Sequence, residues 1–246
     1  AESDSPEGPW TLSGCVVKTD DTTAMNAIDP SLTIDLSTGK WWMHYGSFFG
    51  GLYCVELNPE TGLPILEDDK GHLIASRANY KKDNLEAPEI IYHPDLKKYF
   101  LFVSYDPLMT TYNVRVGRSD KAEGPFIDYF GKELKDTTNN FPILTAPYRF
   151  KNHPGWAGTA HCAVFTSDDG QYFMAHQGRL SPENQMMNLH VRQMFFTEDG
   201  WPVVSPERYT GSKVRNFSAT DLVGEWEIIR VQEPLYERQL EAGQIL

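Results

Sequence analysis

Short runs of apolar and aromatic residues, separated by turn-forming residues, recur along this chain and predict β-strands. Lys40–Ser47 (KWWMHYGS) aligns with Lys98–Tyr105 (KYFLFVSY) 58 residues later, and Gln171–His176 (QYFMAH) is a third copy. A turn rich in Ser, Thr, Asp, Gly or Pro precedes each copy. Before each turn lies another run with strand character, at residues 30–35, 88–93 and 162–166. Each unit therefore predicts a β-meander.

A longer repeat supports the same organisation. Ser3–Trp10 (SDSPEGPW) matches Ser119–Phe126 (SDKAEGPF) at an offset of 116 residues, twice the shorter interval. Units of this size, with several hairpin strands each, are typical of propeller blades, because one small sheet cannot bury both faces until neighbours pack around an axis. The predicted fold class is all-β, a β-propeller. A β-sandwich with fortuitous internal similarity is the alternative.

Composition narrows the possible partners. The chain has 40% hydrophobic and 13% aromatic residues, with 19 Gly and 16 Pro, which favours short strands and turns over long helices. A formal net charge of -12 without a basic run argues against binding nucleic acid. The three cysteines form no CxxC pair, so a zinc site is not expected. The sequence predicts neither a membrane span nor, in residues 1–10, a signal peptide, so any export signal is expected upstream.

Three polar residues stand at nearly the same position before the aromatic strand of each unit. They are Asp29, Glu86 and His161, which precede Trp41, Tyr99 and Tyr172 by 12, 13 and 11 residues. Because the innermost strands of a propeller surround its axis, we expect these side chains to converge on one central cavity. Taken singly, an Asp before Pro is more often a turn residue and a lone His a core residue. Their coincidence at one repeat position favours a functional site.

Both acids lie in largely apolar surroundings, in Asn26–Pro30 and in Leu85–Glu89, where burial without partners would be costly. A pair of carboxyl groups can cleave a glycosidic bond: one protonates the leaving oxygen and the other activates water or attacks the sugar carbon. The residues therefore predict hydrolysis of a sugar chain.

Four segments together resemble the arabinanases of glycoside hydrolase family 43. They are Asn26–Ser31 (NAIDPS), His44–Gly51 (HYGSFFGG), Glu86–Glu89 (EAPE) and Val191–Val203 (VRQMFFTEDGWPV). The resemblance runs in order from residue 1 to about residue 211. It implies a five-bladed propeller, of which this chain would contain blades 3 to 5 and the end of blade 2. It also implies an inverting hydrolase of α-1,5-linked L-arabinan.

The same resemblance implies roles for individual residues. Glu86 resembles the general acid, and Asp29 resembles the Asp that orients this acid and modulates its pKa. Ser47 and Phe49 resemble substrate-binding residues, and Arg192 resembles a cavity-facing residue that either binds substrate or caps the last blade. His161 resembles a histidine that helps hold a hydrated calcium ion, a cation that prefers oxygen ligands.

The chain departs from the family pattern at both ends. The general-base Asp is expected two blades before Asp29, upstream of Ala1, and without it the isolated piece is expected to be nearly inactive. Residues 1–211 are interpreted as the partial propeller. Residues 212–246 are interpreted as a linker and the first strand of a small C-terminal β-barrel, because Leu222–Ile229 (LVGEWEII) resembles its opening strand.

Other readings of the chain stay open. A β-xylosidase or α-L-arabinofuranosidase would share the fold and the carboxylates, and a propeller that binds carbohydrate without cleaving it would explain the unobserved base. The expected partner is plant cell-wall arabinan or an arabino-oligosaccharide. The protein is expected to be a monomer, or paired with the missing N-terminal portion. Because arabinan is extracellular, a secreted or periplasmic location is expected.

Overall fold

The computed structural model describes residues 1–137, 139–181, 185–213, 215–231 and 240–241. These residues form β-strands, turns and two short 3-10 helices at Tyr80–Lys82 and Ala219–Leu222. The strands are β1 (Ser31–Ile34), β2 (Trp41–Tyr45), β3 (Leu52–Leu57), β4 (His72–Ala75), β5 (Leu85–His93), β6 (Lys98–Tyr105), β7 (Asn113–Ser119), β8 (Ile143–Thr145), β9 (Tyr148–Arg149), β10 (Trp156–Ala157), β11 (Ala163–Thr166), β12 (Tyr172–Leu180), β13 (Asn188–Phe196), β14 (Pro202–Val204) and β15 (Leu240–Glu241). The predicted all-β class is confirmed.

The strands form three sheets with mostly sequential neighbours. The orders are β1-β2-β3-β4, β5-β6-β7-β8 and β14-β13-β12-β10-β9-β15, with β11 also paired to β12. Consecutive antiparallel strands joined by short turns are meanders, as the repeat predicted. Within the described part of the chain, no helix has the length and apolar character needed to cross a membrane.

The repeated strand pairs adopt the same register. In the first pair Ile34 lies opposite Trp41, and in the third pair Thr166 lies opposite Tyr172. The turns between them close by backbone hydrogen bonds, from Asp35 N to Lys40 O at 2.8 Å and from Ser167 N to Gln171 O at 2.9 Å. The predicted hairpins at residues 30–47 and 162–176 are therefore confirmed.

The middle copy is the most deeply buried. Tyr99, Phe100, Leu101, Phe102 and Val103 of β6 are all at most 3% exposed. A strand covered on both faces reads as a continuous apolar run, which explains why its sequence does not alternate with a period of two.

Contacts divide the chain into two compact units. Unit 1 comprises residues 1–101, 118–127 and 133–138, and unit 2 comprises residues 102–117, 128–132 and 139–246. In unit 1, Tyr45, Val55 and Leu57 form a buried cluster against which Trp41 and Met43 pack. In unit 2, β12 and β13 pair along their length, from Tyr172 opposite Met194 to Gly178 opposite Asn188.

The C-terminal region has little regular structure among its described residues. Leu222 ends a 3-10 helix, and Leu240–Glu241 pairs in parallel with Tyr148–Arg149. The structure shows no strand spanning Leu222–Ile229, where the sequence predicted the first strand of a barrel. The assignment of residues 212–246 to a separate domain stays a prediction.

His44 on β2 is a buried histidine that is held neutral. Its Nε2 lies 2.7 Å from the carbonyl oxygen of Ala122, so this nitrogen carries the proton and donates it. Burial lowers the pKa of His44 to about 4, against an ordinary value of 6.5, with the hydrogen bond to Ala122 opposing the shift. Protonation of this side chain therefore favours the unfolded chain.

We predict that this histidine makes unit 1 less stable in acid. Between pH 6.5 and pH 4 the unfolded chain binds the His44 proton and the folded chain does not, so the free energy of unfolding falls as the pH falls, by at most ~1.4 kcal/mol per pH unit from this residue. His44→Gln keeps an N–H donor and does not titrate. Urea unfolding across this window should show a flatter pH dependence for His44→Gln than for the unchanged protein. Parallel curves would contradict the assignment.

Candidate active site

Asp29 lies in the segment that leads into β1 and has a backbone φ of 55°. Its side chain is partly exposed, flanked by Ile28 and Pro30. The amide of Gly46, at the end of β2, donates to the carbonyl of Ile28 at 2.9 Å. This hydrogen bond holds the backbone next to Asp29 in place. The left-handed conformation of Asp29 is strained, and strain of this kind is frequent at functional sites.

Glu86 lies near the start of β5, and its carboxyl group is held by Ser47. The Ser47 hydroxyl donates to Glu86 Oε2 at 2.9 Å, and the two residues also form an isolated antiparallel bridge. The amide of Phe48 donates to the Leu85 carbonyl at 2.9 Å. Ser47 is only 7% exposed, whereas Glu86 is partly exposed. The structure therefore brings together Ser47 and Glu86, two of the site residues that the sequence predicted. The buried Ser47 hydroxyl orients the Glu86 carboxyl group through this hydrogen bond.

The loop between β2 and β3 is strained and tightly packed. Phe48 and Phe49 have φ values of 51° and 47°, each a left-handed conformation that costs about 1–2 kcal/mol outside glycine. A Cβ added at Gly50 would lie 1.7 Å from the Ala24 carbonyl oxygen, and one at Gly51 would lie 2.4 Å from the Ala75 oxygen. The glycines of the predicted motif are thus required by close backbone approach.

Phe49 is the exposed aromatic residue of this loop. Its side chain is 67% exposed, and its ring centroid lies 6.2 Å from that of the partly buried Phe48. This large aromatic ring is therefore held at the surface, two residues after Ser47, and the substrate-binding role expected for Phe49 stays a prediction.

The loop between β2 and β3 is hydrogen-bonded to a segment that contains a buried polar cluster, which the sequence analysis did not identify. The amide of Phe49 donates to the Lys82 carbonyl at 3.0 Å. Next to it, Asp83 Oδ1 accepts from the Ser76 hydroxyl and the Arg77 amide, both at 2.8 Å. Arg77 is fully buried and donates from Nη1 to the Asn84 carbonyl at 3.2 Å. In the sequence, Arg77 and Asp83 are two opposite charges in a short polar segment. Such a pattern is common on protein surfaces, so it did not indicate a buried cluster.

His161 occupies the same register position in its hairpin as Asp29 does. Both precede by five residues the strand position opposite the aromatic residue, Ile34 in one hairpin and Thr166 in the other. Both have left-handed backbones, with φ values of 55° and 54°. In the middle unit Ala87 has φ 53° and precedes Tyr99 by 12 residues, as Asp29 precedes Trp41, so Glu86 stands one residue before the position that Asp29 and His161 share. The three polar side chains therefore do not leave the backbone at one equivalent position.

The two acids also differ from expectation in burial. Their apolar neighbours suggested buried carboxyl groups, but both Asp29 and Glu86 are partly exposed. The flanking residues Leu85 and Ala87 are the buried ones, at 0% and 2% exposure. Alternation along the start of β5 places Glu86 on the other face, where its side chain is partly accessible to solvent.

His161 lies in unit 2 and is exposed, and its backbone amide donates to Ser104 Oγ at 2.8 Å. With His176, Gln177 and Asn188 it lines an open cleft of about 480 Å³. His176 itself is 2% exposed, and burial, followed by the charge of Arg192, lowers its pKa to about 3. The cleft therefore contains a histidine that stays neutral at physiological pH.

The expected calcium ion has no cluster of carboxylate and histidine ligands among the described residues. No cluster of three or more His, Cys, Asp or Glu side chains suited to a metal ion occurs among them. Calcium takes six to eight oxygen ligands, and His161 supplies only an imidazole. A cation at this position would have to be held largely through water, and the expected calcium stays a prediction.

Arg192 of β13 is 1% exposed. Its Nη1 donates to the Pro206 carbonyl at 2.7 Å, and its guanidinium carbon lies 5.4 Å from the centre of the Tyr148 ring. These contacts hold the segment after β14 against β13. The substrate-binding role expected for Arg192 stays a prediction, and so does the alternative of capping the last blade.

Comparison with known proteins agrees with these motifs. Residues 1–202 match the family model described as Glycosyl hydrolases family 43. The chain belongs to this family. The extracellular endo-α-(1→5)-L-arabinanase 2 of Bacillus subtilis (strain 168) is 29% identical over 94% of this chain and 55% of its own length. An extracellular endo-α-(1→5)-L-arabinanase of Thermotoga petrophila is 30% identical over 93% of this chain and 55% of its own length.

Solved structures give the same relationship. The crystal structure of endo-1,5-α-L-arabinanase from Thermotoga petrophila RKU-1 superposes with a TM-score of 0.87 at 29% identity, covering 98% of this chain and 59% of that protein. This family 43 chain therefore spans somewhat more than half the length of the relatives that it matches. One further relative, from Cellvibrio japonicus, is named as an extracellular exo-α-(1→5)-L-arabinofuranosidase and is 30% identical over 81% of this chain.

We predict that the bond between Ser47 and Glu86 contributes to stability. Ser47→Ala should lower the free energy of unfolding by about 1 kcal/mol, because it removes the hydrogen bond to Oε2. In a Glu86→Ala background the same change should cost less than half as much, because the acceptor is already gone. Urea unfolding of the four proteins measures this coupling. Ser37→Ala, which removes a hydroxyl bonded to Asp35 in a turn, is the control and should show no coupling to Glu86.

Proposed function

We propose that the protein hydrolyses α-1,5-linked L-arabinan, with Glu86 as the general acid and Asp29 as the carboxylate that orients it and modulates its proton affinity. The observation that carries this proposal is the Ser47–Glu86 hydrogen bond at 2.9 Å, made by a buried hydroxyl on a strained loop that also presents Phe49. Two relatives named endo-α-(1→5)-L-arabinanases support the choice of polymer.

The proposed chemistry begins with proton transfer from Glu86 to the glycosidic oxygen of the leaving sugar. Ser47 holds the carboxyl group of Glu86 in one orientation. This lowers the entropic cost of placing the acid correctly for proton transfer. Asp29 stands on a segment fixed to the end of β2, two residues before β1 begins. A general acid acts in its protonated form, and the modulating role proposed for Asp29 rests on the family resemblance.

Inversion at the sugar carbon requires a further carboxylate to activate the attacking water. The family resemblance places this general base at an Asp upstream of Ala1, and that placement stays a prediction. The resemblance likewise supports a five-bladed propeller as the architecture to which the three sheets belong. Calcium enters no step of this proposal.

A second reading differs in the mode of cleavage. The relative from Cellvibrio japonicus is named as an exo-acting α-(1→5)-L-arabinofuranosidase, and it shares 30% identity with this chain. Chromatography of the products from linear arabinan distinguishes the two modes, because an endo-acting enzyme releases mixed oligosaccharides early and an exo-acting enzyme releases one short product throughout. Binding of arabinan without any product would favour the non-catalytic alternative.

Three relatives are named as extracellular proteins, and we infer a secreted location for this protein. The expected partner is arabinan of the plant cell wall or its oligosaccharides. A monomeric state stays a prediction.

We predict that Glu86→Gln, in the protein at full length, lowers kcat on linear arabinan by at least 10²-fold, because the amide cannot protonate the leaving oxygen. KM should change little. A substrate with an activated aryl leaving group should lose much less, because its departure needs no proton. Initial rates on both substrates test this expectation. Equal losses on both substrates would exclude Glu86 as the acid.

We predict that Asp29→Asn, in the protein at full length, lowers kcat on linear arabinan by about 10²-fold with little change in KM, because the carboxylate proposed to orient the acid is lost. Initial rates over a range of arabinan concentrations test this. An unchanged kcat would exclude Asp29 from the reaction.

A further inference from the structure

A second serine–glutamate hydrogen bond joins the two segments that carry Asp29 and Glu86. Ser31 Oγ donates to Glu89 Oε2 at 3.0 Å, across a sequence separation of 58 residues. The Ile90 amide donates to the same Ser31 oxygen at 3.3 Å. Both side chains are partly buried in unit 1. Ser31 therefore forms a link between the start of β1 and the interior of β5.

This link is close to both acids along the chain. Asp29 precedes Ser31 by two residues, and Glu86 precedes Glu89 by three. Proline stands inside each short connection, at Pro30 and at Pro88. Because the proline ring fixes φ near −65° and restricts the residue before it, each connection has few conformations available. The bond between Ser31 and Glu89 therefore restricts the backbone positions of Asp29 and Glu86.

The bond adds a constraint that the neighbouring backbone does not supply. The Gly46 amide fixes Ile28, and the Ser47–Glu86 bridge fixes the start of β5, so both contacts act through the end of β2. Ser31–Glu89 connects the Asp29 segment to the Glu86 segment directly. Both connections contain a left-handed residue: Asp29 itself, with φ 55°, and Ala87, which follows Glu86, with φ 53°. Such residues keep their conformation only where the surroundings over-determine it.

We propose that Ser31 and Glu89 are a positioning pair that sets the placement of Asp29 relative to Glu86. The inference rests on the proposed function, in which these two carboxyl groups act together. Neither Ser31 nor Glu89 contacts the reacting atoms in this scheme. Their effect reaches the reaction through the orientation of the two acids, and small displacements of reacting groups cost catalysis more than binding.

The test compares Ser31→Ala, Glu89→Ala and the double variant in the protein at full length, on linear arabinan. Each single change is expected to lower kcat about tenfold with KM changed less than twofold. The double variant should lose no more than about tenfold, because both changes remove one interaction. Ser31→Thr keeps the hydroxyl and suits a strand, so it should retain kcat within about twofold of the unchanged protein.

Ser37→Ala is the matched control, because Ser37 Oγ donates to a carboxylate, Asp35 Oδ1, in a turn of the same unit. It should leave kcat unchanged. All assays are made at least 15 °C below the melting temperature of each variant, roughly four or more times the shift of about 2–4 °C that loss of 1 kcal/mol produces in a protein of this size. Loss of stability alone then cannot lower the rate.

Three results would overturn the positioning role. Ser31→Ala could behave like Ser37→Ala, the two single losses could multiply in the double variant, or Ser31→Thr could lose as much as Ser31→Ala. If the unchanged protein hydrolyses arabinan and depends on Glu86 while any of these is seen, the inference fails alone. If the unchanged protein does not hydrolyse arabinan, the proposed function fails, and the positioning role is overturned with it.

Discussion

The hydrogen bond between Ser47 and Glu86 is the contact on which the candidate site depends. It joins the end of β2 to the start of β5, strands of two different sheets that meet there at an isolated bridge. A buried hydroxyl donating at 2.9 Å gives a partly exposed carboxyl group one orientation without removing it from solvent. An acid that must meet a substrate has to be accessible, and an accessible side chain on a strand has several rotamers. Side-chain hydrogen bonding resolves this conflict where burial would not.

The strain in the neighbouring loop follows from the same requirement. Phe48 and Phe49 both adopt left-handed conformations, although glycines are close at hand in the sequence. The glycines are used where backbone carbonyls approach too closely for any Cβ, at Gly50 and Gly51. Close packing thus requires glycine at Gly50 and Gly51, and the left-handed conformations at the two preceding positions are adopted by phenylalanine, at a higher conformational cost than glycine would have. Strain of this kind is retained where the resulting geometry is used.

The hairpins could be predicted from the sequence, because aromatic runs and turn residues are local signals that repeat at a fixed interval. Strand bounds at β6 agree with the predicted run from Lys98 to Tyr105. The repeat also located the region of the acids, but it could not fix their exact register. Glu86 falls one residue before the left-handed position that Asp29 and His161 occupy, since the alignment rested on spacing to an aromatic residue and loops vary by one residue. Apolar neighbours suggested burial of the acids, but strand alternation buries the neighbours instead. The Ser31–Glu89 bond joins strands of two different sheets, 58 residues apart in sequence, and no local pattern encodes it. The cluster around Asp83 lies within one short polar segment, where the sequence does not distinguish buried polar residues from exposed ones.

The two serine–glutamate bonds have different consequences, although their chemistry is the same. Ser47 contacts the proposed acid itself, so its removal changes the group that transfers the proton. Ser31 contacts Glu89, which is three residues away from that group, so its removal changes only where the group stands. The two bonds therefore act at different distances from the proposed acid. Because Asp29 is two residues from Ser31, displacement at Ser31 would move this carboxylate relative to Glu86 in the proposed scheme. The identity of the acid should therefore control the rate more steeply than the placement of Asp29, because positioning changes only the geometry in which the proton is transferred.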